Sequence, residues 1–82
     1  MNQQEQQLTT FGKMVKFQLK VLNRDEKWLV SKVREQADKG FTVQSLENLC
    51  TGKSDIRPRM VHIEKILHTE SERQRLVRKA MR

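Results

Sequence analysis

Val43, Gln44, Ser45 and Asn48 gather base-reading chemistry within six residues of chain. Amides such as those of Gln44 and Asn48 match the donor and acceptor pattern of adenine. A serine hydroxyl suits several bases, and a valine can pack on a thymine methyl. Thr42 and Lys53 flank the group, and both side chains are of the types that contact phosphate. Two further sets of cations are spaced as phosphate contacts would be. Lys13, Lys16, Lys20 and Arg24 recur at intervals of three, four and four, which puts them on one helix face. Arg73, Arg75 and Arg78, with Lys79 and Arg82, follow the last acidic residue, Glu72. Both rows also fit a plain solvated face. The net charge of +7 favours a polyanionic partner, nucleic acid first and an anionic membrane surface second.

Other chemistries find no residues to carry them. His62 and His68 are six apart and do not share a helix face, so they make no metal pair. Cys50 has no Cys or His at ligand spacing and is expected to be a small core residue. As the single cysteine it forms no intrachain disulfide. No glycine loop cradles a phosphate, and the carboxylates are scattered among Lys and Arg. We therefore expect no enzyme activity, cofactor, metal or small-molecule substrate. Tyrosine is absent and aromatics are 5% of the chain, too few for a platform that stacks single-stranded bases. No apolar run approaches membrane-spanning length, and the N-terminus is Gln-rich rather than basic then apolar. A cytoplasmic protein associated with the host nucleoid is expected.

The elements that must position these residues read as helices throughout. Residues 1–9 are polar and read as a flexible arm. Residues 10–82 form the domain. The first helix is predicted over 10–22, from the stripe of Phe11, Val15, Leu19 and Leu22. The second is predicted over 25–38, with Leu29, Val30, Val33 and Ala37 inward and Trp28 at the edge. The third carries the candidate readers. Thr42 is its N-cap, Phe41 and Leu46 stand at the positions of a hydrophobic staple, and Gly52 is its stop. Leu46, Leu49 and Cys50 share its inner face. Pro58 opens a fourth helix with Met60, Ile63, Ile66 and Leu67 inward. Thr69-Glu70-Ser71-Glu72 matches a capping box and predicts a fifth, which would set Leu76, Val77 and Ala80 against the bundle or a second subunit. The expected fold is all-α, a compact bundle of four to five helices.

The pattern resembles the lambda-repressor and Cro-like helix-turn-helix family, the XRE-type regulators. Leu29-Val30 stands where the family has its small apolar pair, and Thr42, Leu46, Leu49 and Gly52 fill the following positions in register. Phe11-Gly12-Lys13, Leu22-Asn23-Arg24, Trp28-Leu29, Thr51-Gly52-Lys53 and Ile63-Glu64-Lys65-Ile66-Leu67 resemble small phage-type members from Gram-positive hosts. The likeness covers residues 11–67. It departs in several places. Glu26 or Lys27 replaces a usual glutamine, and Val43 stands where a base-reading glutamine is common. The stretch between Leu29-Val30 and Thr42 is several residues longer than in compact members, so that helix two is longer or the turn wider, and Glu47 faces outward.

The resemblance implies a sequence-specific binder of double-stranded DNA, a transcriptional repressor acting as a homodimer on two-fold half-sites. Val43, Gln44, Ser45 and Asn48 would then read bases. Thr42, Lys53, Lys13, Lys16, Lys20, Arg73, Arg75 and Arg78 would hold phosphates. A protein-interaction module on the same fold is an alternative, favoured by Glu47 on the reading face. An architectural or recombination accessory protein is another.

Overall fold

The computed structural model describes residues 8–80. Four helices follow one another: α1 (Thr10–Leu22), α2 (Glu26–Gln36), α3 (Val43–Cys50) and α4 (Arg57–Ala80). No strand occurs among the described residues. Both α3 and α4 pack against α1 and α2. Val15, Leu29, Val33, Leu46 and Ile63 sit at the solvent-free centre, with Trp28, Ile56 and Met60 partly buried around it.

Local chemistry sets the ends of the first three helices. Thr9 caps α1, its hydroxyl accepting from the Gly12 N–H at 3.0 Å. Thr9 and Leu8 were expected in the N-terminal arm, yet Thr9 is this cap and Leu8 packs against the core. Residues 1–7, the rest of that arm, lie outside the described residues, as do 81 and 82. Asn23 closes α1 in the left-handed region at φ 58°, where asparagine is tolerated. Asp25 then caps α2, accepting from the Trp28 N–H at 2.9 Å.

The second helix ends sooner than its apolar pattern predicts. The N–H groups of Ala37 and Asp38 both turn back to the Val33 carbonyl. Asp38 accepts from the Gly40 N–H and from Arg59, which builds a turn where more helix was expected. Ala37 is therefore exposed and no part of the core.

The predicted break at Thr69 does not occur. From Arg59 to Ala80 there is neither glycine nor proline, and most residues favour a helix. Each residue added to a growing helix brings one more hydrogen bond, so a capping sequence inside it starts nothing new. Glu70, a member of that capping sequence, is buried instead at 6% exposure. The correction reaches further along α4. Leu76 and Val77 do not pack against this chain's own bundle, one of the two places expected for them: they are 62% and 46% exposed, and Ala80 is exposed too.

Candidate nucleic-acid interface

The short helix α3 is fixed at both ends. The Thr42 hydroxyl accepts from the Ser45 N–H at 3.1 Å and lies 3.0 Å from the Ser45 hydroxyl. At the far end the Cys50 carbonyl accepts from the Thr9 N–H at 2.9 Å and the Thr9 hydroxyl at 3.1 Å. Gly12 makes that approach possible: a Cβ there would stand 2.2 Å from the Cys50 carbonyl oxygen. Gly52 follows at φ 84°, and the Lys53 and Ser54 N–H groups close on the Asn48 carbonyl. The loop carrying Lys53 thus folds back over the last turn of α3. Leu46, Leu49 and Cys50 bury the inner face. Burial pushes the Cys50 thiol up to about 11.

The outer face carries the predicted readers. Val43 and Gln44 are exposed, and Ser45 and Asn48 are half-buried. The Gln44 Nε2 donates to Asn48 Oδ1 at 3.0 Å. Gln44 keeps its Oε1 and one N–H, and Asn48 keeps both N–H groups.

The predicted phosphate contacts divide into committed and free cations. Lys16 is held by Glu26 and lies 3.9 Å from Glu47. The hydrogen bond to Glu26 raises its pKa. Glu47, on the same helix as the predicted readers, is thereby set against a cation. Arg73 makes a two-pronged contact with Glu70 at 3.0 and 2.9 Å, and Arg75 meets Glu72 at 2.5 Å. Lys13, Lys20, Lys53 and Arg78 have no carboxylate within 4.0 Å among the described residues.

Glu70 is the hub of the buried polar contacts. It accepts from Arg24 at 3.0 and 2.8 Å, from Arg73, and from Gln74 Nε2 at 2.8 Å. Gln74 Nε2 also reaches the Leu22 carbonyl at 2.9 Å. The Arg24 guanidinium lies 5.2 Å from the Trp28 ring centroid, within cation–π range. The hydrogen bonds from Arg73, Gln74 and Arg24 hold the Glu70 carboxyl down to about 2, against the opposing effect of burial. This hub ties α4 to the turn between α1 and α2.

A groove of about 690 Å³ opens between α2 and α3. Lys27, Val30, Ser31, Arg34 and Glu35 line it from α2, and Lys39, Thr42 and Val43 from the turn and the start of α3. Of its three cations, Arg34 and Lys39 were not singled out by sequence reasoning, and Lys27 was named only as one of two replacements for a usual glutamine. The signal was there: Lys27, Ser31 and Arg34 recur at intervals of four and three on one face of α2.

No group of three or more His, Cys, Asp or Glu side chains among the described residues is placed to hold a metal ion. No helix among them is long and apolar enough to cross a membrane. No family model, curated protein or solved structure matches the chain.

Proposed function

We propose that the protein is a sequence-specific double-stranded DNA-binding regulator of transcription. In this reading α2, the turn and α3 work as a helix-turn-helix, and the protein is a repressor of the phage or mobile-element type. The observation that carries it is the coupled amide pair on α3. Gln44 keeps the free donor and acceptor that adenine N7 and N6 require, and its partner Asn48 stops it swinging away. Val43 is exposed beside it, able to meet a thymine methyl. Lys13, Lys20, Lys53 and Arg78 supply phosphate contacts, having no internal partner to give up. Lys16, Arg73 and Arg75 would contribute only by exchanging a carboxylate for a phosphate. A homodimer matches two half-sites on one face of a duplex.

Selection of bound duplexes from a random pool tests this. An enriched palindrome is expected. Gln44→Ala and Asn48→Ala should each weaken binding to the selected site by about 1–3 kcal/mol with unchanged thermal stability. Equal binding by parent and both variants would remove α3 from the reading role.

A protein partner is the second reading. Phe17 and Val21, four apart on α1, are 63% and 58% exposed, an unusual exposure for a phenylalanine and a valine on one helix face. A pool that yields no enriched sequence would favour it.

A further inference from the structure

The groove between α2 and α3 carries three cations, Lys27, Arg34 and Lys39, against one carboxylate, Glu35, and it opens at the residues that begin the proposed reading helix. We infer that it seats the backbone phosphates of the DNA strand lying alongside α3, with Lys27, Arg34 and Lys39 as the contacting cations. The inference rests on the duplex-binding reading above and adds phosphate contacts on α2 and the following turn to those of Lys13 and Lys20 on α1.

Three observations converge on it. The first is position. Thr42 and Val43 line the groove and also begin α3, so a strand beside the readers passes over Lys27, Ser31, Arg34 and Lys39. The second is availability. Lys27, Arg34 and Lys39 have no carboxylate within 4.0 Å among the described residues, whereas Lys16 on α1 is taken by Glu26 and Glu47. The single acidic lining residue, Glu35, lies 3.9 Å from Lys32, which offsets its repulsion of an anion. The third is donor chemistry. The Ser31 hydroxyl can donate, and an arginine fork can hold two oxygens of one phosphate. An acidic small molecule would need an enclosed pocket to lose most of its hydration. This groove is open along its length, as a continuous strand requires.

The perturbation is the triple variant Lys27→Gln, Arg34→Gln, Lys39→Gln, measured in two ways beside Lys65→Gln. The control removes one exposed charge from α4, outside the groove lining. In the first measurement, binding of the selected duplex is followed against salt. The log–log slope should fall by about 0.9 for each lost contact, so by about 2.7 for the triple variant and hardly at all for the control. Selected and scrambled duplexes should weaken together, since phosphates carry no sequence. In the second, inorganic phosphate is titrated into labelled protein. Amide shifts are expected at Ser31, Lys39, Thr42 and Val43 in the parent and not in the triple variant. A parent that binds duplex while the triple variant keeps its slope would overturn the groove. So would a loss per charge no larger than that of Lys65→Gln. A parent that binds no duplex would overturn the regulatory reading, and the phosphate titration then decides the groove alone: shifts confined to it keep the anion seat, and their absence removes it.

Discussion

Glu70→Gln isolates the buried hub that joins α4 to the α1–α2 turn. The parent carboxyl is held down from an ordinary 4.5 to about 2 by Arg73, Gln74 and Arg24. At about 1.4 kcal/mol for each tenfold change in proton affinity, this amounts to about 3 kcal/mol at most. The sign follows from linkage. The folded pKa is depressed, so the stabilisation is complete above the unfolded value and is lost as pH falls toward about 2. At pH 3 the group is still largely ionised when folded and largely protonated when unfolded, so about 2 kcal/mol disappears between pH 7 and pH 3. Arg73 is half exposed, and solvent screening there trims the expected loss to about 1–2 kcal/mol. Glutamine keeps the shape but does not titrate. Urea unfolding of parent and variant at pH 7, 5 and 3 should show the variant less stable at pH 7, with the gap narrowing toward pH 3. Asp38, Asp55 and Glu72 are also lowered by arginine hydrogen bonds, but they titrate alike in both proteins and cancel in the difference. Parallel curves would show that the Glu70 contacts add nothing beyond shape.

Gly12→Ala should destabilise the fold by about 1–3 kcal/mol, because the new Cβ meets the Cys50 backbone and α1 must move off α3; an unchanged melting temperature would contradict the close approach. Leu46→Ala, at a side chain 1% exposed, should cost about 2–5 kcal/mol in urea unfolding, and a loss under about 1 kcal/mol would mean that α3 is loosely seated. Cys50, with its thiol pushed up to about 11, should resist a disulfide reagent at pH 8 until urea unfolds the chain; rapid reaction in the native protein would show that α3 opens readily.

Local signals carried the first three helices. Thr42 is a cap and Gly52 has the left-handed backbone that the sequence implied, because both depend on chemistry within a few residues. The stripes of α1 and α3 were legible for the same reason: their buried residues recur at helical spacing. What failed needed tertiary partners. Nothing near Glu70 in sequence says that Arg24, forty-six positions earlier, will meet it and turn an expected cap into a buried hub. Ala37 looked like one more inward residue, but Asp38 found Arg59 across the fold and bent the chain first. At the candidate interface the residue types of the proposed readers were visible in the sequence. The pairing of cations was not, since Lys16 is matched by Glu26 and Glu47 from two other helices.

The continuity of α4 gives its exposed end a fixed angular phase. With no joint at Thr69, Leu76 and Val77 are bound rigidly in rotation to Ile63 and Glu70, which are anchored in the bundle. One residue inserted after Gln74 would swing them by about 100° and carry them about 1.5 Å further out, whereas seven would return them to within about 20° of their original bearing. Whatever meets that end therefore meets it at a bearing set by residue count, as a tooth on a shaft rather than a tail on a tether.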